Sequence, residues 1–178
     1  MKFKKKNIVL VGMTGVGKST VGRLLSKEIS YNFIDIDVEI EKATNLRIKD
    51  FFKTYGEQEF RKIEKSIFMT TFFKNKTSVI SPGAGIFYDN EIKDTIFNKS
   101  RCIFLKARIK YLISRLKKNI SNRPMLKEGK LEETLKQMYI ERLKYYAKSH
   151  ITIDVEETSL SDILSKILKA LKDYDRIY

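Results

Sequence analysis

A glycine-rich segment near the start of the chain, GMTGVGKST at residues 12–20, restricts the possible folds more than any other feature. It fits the pattern G-x-x-x-x-G-K-[ST], in which backbone amides surround phosphate oxygens, the lysine reaches the β- and γ-phosphates, and the hydroxyl contacts Mg²⁺. The pattern requires a strand before it and a helix after it, and residues 7–12 and 18–29 predict both. We therefore expect a nucleoside triphosphate to bind at Gly12, Gly15, Val16, Gly17, Lys18, Ser19 and Thr20.

Strand and helix patterns alternate along the rest of the chain. Short apolar runs predict strands at residues 32–36, 77–81, 101–105 and 151–154, and helical periodicity predicts helices at 57–74, 109–118 and 159–171. Such alternation is typical of an α/β fold with a parallel sheet covered by helices on both faces. Ligands of such a sheet bind at the carboxyl ends of its strands. Because no repeat or linker marks a boundary, we predict one domain over residues 1–178.

The charge of the chain allows two interpretations. A net charge of +14 suits a nucleic-acid binder, and it also suits a protein whose arginines bind small anions. The basic residues are spread along the whole chain, and no nucleic-acid-binding module is present, so we favour small anions. No apolar run approaches the roughly 18 residues of a membrane span, and the run at 8–11 is too short for a signal peptide. Cys102 is the single cysteine, which suits a reducing compartment, so we expect a cytoplasmic protein. We also expect a monomer that binds neither nucleic acid nor membrane.

The segment NISNRPMLKEGKL, residues 119–131, interrupts the alternation. It is polar, contains Pro124 and Gly129, and lies between two helical patterns. It is either an ordinary surface loop or a mobile lid that carries Arg123. Connections of about 12 residues without secondary structure are often functional, so we predict a lid.

Motifs that are missing narrow the reaction class. A Ras-like GTPase needs N-K-x-D, and the segments NKTS at 75–78 and NKSR at 98–101 lack its aspartate. Motor and helicase ATPases usually place an acid after a buried strand, whereas the third strand here ends in SPGAG, residues 81–85. A small kinase with a compact acceptor site remains.

Two acids follow the second strand in FIDIDVEIE, residues 33–41. Asp35 and Asp37 are candidates for holding Mg²⁺ and for orienting an attacking hydroxyl, which are the two tasks that phosphoryl transfer requires. The alternative is that they cap and stabilise a helix N-terminus.

Arginines and glycines supply the remaining candidates. In GEQEFRKIE, residues 56–64, Arg61 can pair with Glu57 one turn earlier, or it can direct its guanidinium at a substrate carboxylate. The glycines of SPGAG allow a backbone to approach a ligand closely. ERLKYY, residues 141–146, adds Arg142.

Taken together, GMTGVGKST, FIDIDVEIE, GEQEFRKIE, SPGAG, NRPML and ERLKYY resemble the shikimate kinase family over nearly the whole chain. The resemblance implies a three-layer P-loop kinase fold with a five-stranded parallel sheet and a lid. It implies ATP-dependent phosphorylation of the 3-hydroxyl of shikimate, with Mg²⁺, in aromatic amino-acid biosynthesis.

The resemblance also implies roles for individual residues. Lys18, Asp37 and Arg123 would be catalytic, and Ser19 and Asp35 would hold Mg²⁺. Arg115 and Arg123 would contact ATP in addition to the phosphate loop. Shikimate would be bound by Asp37, Arg61, Gly83, Ala84, Gly85 and Arg142.

One departure from the family concerns the SPGAG turn, where family members usually show three glycines. Ala84 takes the middle position, and Pro82 is unusual there. An alanine forced to positive φ would cost about 1–2 kcal/mol. Because the other site residues are retained, we expect Ala84 to have negative φ.

Three other functions remain open alternatives: a related kinase with a gluconate-type acceptor, a nucleotide-binding relative without turnover, and a polyanion-binding protein. We expect a structural or solvated role for His150 and a place in the core for Cys102.

Overall fold

The computed structural model describes residues 6–118 and 128–177. Five strands and seven helices alternate along this part of the chain. In order they are β1 (Ile8–Val11), α1 (Lys18–Glu28), β2 (Asn32–Asp35), α2 (Ile36–Thr44), α3 (Ile48–Lys74), β3 (Ser78–Ser81), α4 (Asn90–Lys99), β4 (Arg101–Lys106), α5 (Ile109–Lys118), α6 (Glu128–Tyr146), β5 (Ile151–Asp154) and α7 (Leu160–Ile177), with a one-turn 3₁₀ helix at Ile86–Tyr88.

The sheet is parallel throughout, in the order β2-β3-β1-β4-β5. The burial of the strands agrees with this order. Every residue of β1 and β3 and all but the last residue of β4 are buried, as expected for strands covered on both faces, whereas the edge strands β2 and β5 are partly exposed. The predicted α/β fold with a five-stranded parallel sheet is confirmed.

Two residues interrupt the helices that follow β2. Asn45 ends α2 in a left-handed conformation with φ of 54°. Gly56 lies inside α3 with φ of 78° and ψ of 178°, so it divides α3 into two helical stretches. These conformations suit asparagine and glycine better than other residues.

Other boundaries differ from the sequence expectation. The last helix continues to Ile177 rather than ending at Leu171, since Asp175 accepts a hydrogen bond from Nε of the buried Arg101 at 2.6 Å. Helix α6 begins at Glu128, so residues 128–131 are helical and do not belong to the predicted lid. The predicted lid residues 119–127, including Arg123, lie outside the described residues.

The interior is one continuous apolar cluster drawn from strands β1, β3, β4 and β5 and from helices α1 to α7, and the partly buried Phe33 and Ile34 of β2 pack against it. Cys102 belongs to this cluster as a buried free thiol. Among the described residues, no helix combines the length and apolar character needed to cross a membrane.

His150, the only histidine of the chain, leads to a prediction about stability. Its Nδ1 accepts a hydrogen bond from the Cys102 backbone N–H at 3.0 Å, which requires an unprotonated Nδ1. Burial lowers the pKa of His150 below its ordinary value of 6.5. The unfolded state therefore takes up a proton at higher pH than the folded state, and the free energy of unfolding should fall as the pH drops below about 6.5.

Urea denaturation between about pH 7.5 and about pH 5.5 measures this effect. The control is His150→Asn, whose amide oxygen can accept the same hydrogen bond without titrating. We expect the wild type to lose more stability over this range than the variant. Equal losses would contradict the role assigned to His150.

Candidate active site

The site lies where three neighbouring strands end. The sheet order places the carboxyl end of β3 between those of β1 and β2. The phosphate loop follows β1, Asp35 and Asp37 lie at the end of β2 and the start of α2, and the SPGAG turn follows β3. The three segments that the sequence marks as functional are therefore adjacent in space.

The phosphate loop has the conformation that its glycines permit. Gly12, Gly15 and Gly17 have φ of 146°, 83° and 105°, values that residues with a side chain rarely adopt. Gly17 is the N-cap of α1, and the first turn of this helix contains no acidic residue. The positive end of the α1 dipole is thus left for a phosphate group.

The lysine and serine of the motif lie at the mouth of this loop. Lys18 Nζ donates to the Gly12 carbonyl at 3.0 Å and to the Met13 carbonyl at 3.4 Å. Ser19 Oγ donates to Asp35 Oδ2 at 2.6 Å. A hydroxyl and a carboxylate oxygen so close together are suitable ligands for Mg²⁺, which binds through one or two protein oxygens with water and phosphates completing the shell.

Asp35 also has the structural role that the sequence left open. It is the N-cap of α2, and its Oδ1 accepts a hydrogen bond from the Asp37 backbone N–H at 3.2 Å. The two interpretations are compatible because Oδ1 caps the helix while Oδ2 faces Ser19.

Two cavities meet at this end of the sheet. The loop cavity, of about 290 Å³, is lined by residues of the phosphate loop together with Asp35 and Arg115. The large cavity, of about 1000 Å³, is lined by all six residues predicted to bind the acceptor: Asp37, Arg61, Gly83, Ala84, Gly85 and Arg142. Four residues line both cavities, namely Thr14, Asp37, Gly83 and Ala84.

Asp37 therefore lies between the two cavities. Burial raises the pKa of Asp37 above its ordinary value, the neighbouring Asp35 carboxylate raises it further, and the Lys18 ammonium opposes both effects. A carboxylate with a raised pKa is a better proton acceptor than an exposed one.

Arg61 is held in place by two acids and two rings. Its Nη1 donates to Glu64 at 2.6 Å and its Nη2 to Glu57 at 3.0 Å. The guanidinium carbon lies 4.8 Å from the centre of the Tyr88 ring and 5.4 Å from that of Phe60. The pairing with Glu57 that the sequence left open is present, and the same guanidinium also lines the large cavity.

The glycines of the SPGAG turn let two side chains approach its backbone closely. A Cβ atom at Gly83 would lie 2.9 Å from Glu64 Oε1, and one at Gly85 would lie 2.7 Å from Nη2 of Arg61. Both distances are too short for a carbon atom, so the acid and the arginine approach this closely only because glycine is present.

Ala84, between these glycines, has no such conflict in its backbone. Among the described residues other than glycine, positive φ occurs only at Ser30, Asn45 and Glu157. The expectation that Ala84 has negative φ is therefore confirmed. The third glycine of the family pattern is not needed for the conformation of this turn.

The other residues predicted to bind ATP lie at different places around the phosphate loop. Arg115 Nη1 donates to the Val16 carbonyl at 3.4 Å, which holds this arginine against the phosphate loop. Gly12 and Val16 are buried behind the loop rather than lining its cavity. Thr20 lines the loop cavity, and Arg123 lies outside the described residues.

Sequence reasoning missed two residues with clear positions in the site. The Glu64 side chain is only 3% exposed, and its Oε1 has no hydrogen-bond partner among the described residues. Burial raises the pKa of Glu64, and Arg61 opposes this. Its spacing of three residues from Arg61 was an available signal, but such pairs are usually exposed on helix surfaces. Tyr146, whose hydroxyl reaches the SPGAG turn, gave no signal beyond that of a core aromatic.

Comparison with known proteins agrees with this geometry. The family model for shikimate kinase matches residues 14–172. The shikimate kinase of Bacillus licheniformis is 36% identical over 170 residues, covering 96% of this chain and 96% of the relative. The structure of a shikimate kinase from Acinetobacter baumannii in complex with shikimate aligns with a TM-score of 0.86 and 28% identity over 94% of this chain and 93% of the other.

A gluconokinase structure from Sinorhizobium meliloti is also similar, with a TM-score of 0.62 and 16% identity over 98% of this chain and 96% of the other. At this identity the likeness concerns the fold alone.

Proposed function

The chain belongs to the shikimate kinase family, and we propose that it transfers the γ-phosphoryl group of ATP to the 3-hydroxyl of shikimate. The products are ADP and shikimate 3-phosphate. The observation that carries the proposal is the junction of the two cavities, because Asp37, Thr14, Gly83 and Ala84 line both of them. A phosphate held in the loop cavity and a hydroxyl held in the large cavity would meet beside Asp37.

The nucleotide side of the proposal rests on the phosphate loop. Its backbone amides and the N-terminus of α1 bind the phosphates of ATP, and Lys18 offsets the charge that develops on the transferred group. Ser19 and Asp35 would hold Mg²⁺, which supplies a positive charge that neutralises the phosphate oxygens. Arg115 and Arg123 add cations on this side, and Thr20 completes the lining of the loop.

The acceptor side rests on complementary charge. Arg61 and Arg142 bind the shikimate carboxylate, because a guanidinium matches a carboxylate with two parallel hydrogen bonds. The backbone of Gly83, Ala84 and Gly85 closes against the ring of the acceptor. Glu64 and Glu57 hold Arg61 in the orientation that this contact needs.

Asp37 carries the proton transfer in this proposal. A bond forms between the 3-hydroxyl oxygen of shikimate and the γ-phosphorus, and the bond from that phosphorus to the oxygen shared with the β-phosphate breaks. The proton of the hydroxyl passes to Asp37, whose raised pKa favours its uptake.

Family membership and the set of acceptor-side residues favour shikimate over a gluconate-type acceptor. The likeness to a gluconokinase extends only to the fold. The presence of Lys18, Ser19, Asp35 and Asp37 together at the carboxyl ends of the strands argues against a relative without turnover.

We further propose that residues 1–178 act as one domain and as a monomer in the cytoplasm. One apolar cluster joins the helices to the central strands of the sheet, and the edge strand β2 packs against it. The buried free thiol of Cys102 suits a reducing compartment.

A coupled assay for ADP with ATP, Mg²⁺ and a panel of acceptors tests this function. We expect turnover with shikimate and background rates with gluconate and nucleoside monophosphates. A higher rate with gluconate would reassign the acceptor, and background rates with the whole panel would leave a nucleotide-binding protein without this activity.

Arg61→Lys should weaken shikimate binding selectively. A lysine keeps the charge and loses the paired hydrogen bonds, so we expect the KM for shikimate to rise about tenfold or more, equivalent to about 1.4 kcal/mol. The KM for ATP should stay within about twofold.

The control for this variant is Arg47→Lys, at an exposed arginine that directly precedes α3 and lines neither cavity. Both KM values should be unchanged in the control. If Arg61→Lys changed the KM for ATP more than the KM for shikimate, Arg61 would not belong to the acceptor site.

A further inference from the structure

Tyr146, the last residue of α6, is completely buried between two aromatic rings. Its ring stacks on Phe104 of β4, with 5.1 Å between ring centres, and meets the edge of Phe87 at 5.9 Å. A ring held on two sides has little freedom to turn. The position of its hydroxyl group is therefore determined by the packing of the core.

The hydroxyl of Tyr146 connects the core to the site. It donates a hydrogen bond of 2.6 Å to the carbonyl oxygen of Ala84, the middle residue of GAG in the SPGAG turn. A bond this short between residues 62 positions apart in sequence ties α6 directly to the turn.

Arg142 is one helical turn before Tyr146 and adjoins the same hydroxyl. Burial raises the pKa of Tyr146 well above its ordinary value, and the nearby Arg142 guanidinium, through its charge and a hydrogen bond, opposes that rise. The hydroxyl thus bonds to the turn and lies near one of the arginines that line the large cavity.

The peptide that links Ala84 to Gly85 is oriented by this contact. In a planar trans peptide the carbonyl and the following N–H point in opposite directions. With the Ala84 carbonyl directed at Tyr146, the Gly85 N–H must point away from it. No hydrogen bond among the described residues uses the Ala84 or Gly85 N–H, whereas the neighbouring carbonyls of Gly83 and Gly85 accept bonds from Ile86 and Tyr88.

We propose that Tyr146 is a positioning residue for the acceptor. Its hydroxyl fixes the Ala84–Gly85 peptide so that backbone N–H groups of the turn remain available to the acceptor, and it fixes the turn relative to Arg142 on α6. The inference rests on the proposed function, because it assigns the turn and Arg142 to the acceptor site. It adds a residue that does not line either cavity.

Tyr146→Phe tests the proposal, since it keeps the ring and removes only the oxygen atom. We expect the KM for shikimate to rise about tenfold, as expected for the loss of one buried hydrogen bond. The KM for ATP should change less than about twofold, because the phosphate loop is held by other contacts. A purely structural role would instead lower the melting temperature and leave the KM for shikimate unchanged.

Tyr145→Phe is the matched control, because it removes a hydroxyl from the adjacent residue of the same helix. Tyr145 is partly exposed and its hydroxyl makes no hydrogen bond among the described residues. Both KM values should be unchanged in this variant. An equal rise in the KM for shikimate in the two variants would overturn the proposal.

Replacement of Tyr146 by 4-aminophenylalanine supplies a second test, because the amino group can donate to the Ala84 carbonyl. We expect it to restore a KM for shikimate close to that of the wild type. Failure of this rescue, or a Tyr146→Phe variant that does not fold, would assign the hydroxyl to stability and overturn the proposal.

The wild type separates this inference from the proposed function. If the wild type lacks turnover with shikimate, the proposed function fails. If it turns over shikimate and Tyr146→Phe leaves the KM for shikimate unchanged, the inference about Tyr146 alone fails.

Discussion

Lys18→Ala is expected to lower turnover with ATP and shikimate at least about 100-fold, equivalent to about 2.7 kcal/mol, while the fold remains intact. The Lys18 ammonium is held at the mouth of the phosphate loop by the carbonyls of Gly12 and Met13. From there it can offset the negative charge that accumulates on the transferred phosphoryl group. The measurement is the turnover number at saturating ATP and shikimate, together with the melting temperature.

Lys27→Ala is the matched control for this variant. Lys27 is an exposed lysine in the last turn of α1, the helix that begins at Lys18. Its replacement should leave turnover unchanged. A folded Lys18→Ala variant that keeps more than about a tenth of the wild-type turnover would contradict the role of Lys18.

Asp37→Asn is expected to reduce turnover by about 100-fold or more while ATP still binds. The amide occupies the same volume and cannot take up the proton of the acceptor hydroxyl. Because burial and Asp35 raise the pKa of Asp37, the wild type should begin to lose activity on acidification at a higher pH than an ordinary carboxyl group would cause. Single-turnover kinetics measure the loss of turnover and, repeated over a range of pH with the wild type, the pH dependence. The affinity of the variant for ATP is measured separately.

Asp35→Asn is the comparison that separates the two acids. Asp35 contacts Ser19 and does not line the large cavity, so its replacement should shift the Mg²⁺ dependence of activity to higher concentration. Excess Mg²⁺ should restore much of the activity of Asp35→Asn and little of that of Asp37→Asn. Identical Mg²⁺ profiles in the two variants would show that these roles are wrongly divided.

The sequence predicted the central part of the fold because its signals are local. The runs IVLV and SVIS are fully buried, RCIFLK is buried except for Lys106, and the phosphate-loop pattern itself demands a strand before it and a helix after it. The helix α4 and most of α6 lacked so clear a pattern. Residues 128–131, EGKL, were assigned to the lid because composition alone does not distinguish the start of a helix from a loop.

The chemistry of individual residues suggested a site, and the resemblance to the shikimate kinase family supplied the full set of acceptor-side residues. Arginines, paired acids and a glycine turn at the ends of strands indicated a site for a small anion, and all six residues predicted to bind the acceptor line one cavity. The contacts between them could not be predicted. The burial of Glu64 beside Gly83 and the bond from Tyr146 to Ala84 depend on distant segments packing together, and no local pattern reports such packing.

The most direct test of the proposed phosphoryl transfer is ³¹P NMR of the reaction mixture, with ADP formation followed with and without shikimate. We expect ADP to form at an appreciable rate only when shikimate is present, and the phosphorus of the product to couple to the proton on carbon 3 of shikimate. Release of inorganic phosphate at the same rate without shikimate, or phosphorylation of a different hydroxyl, would contradict the transfer from the loop cavity to a hydroxyl beside Asp37.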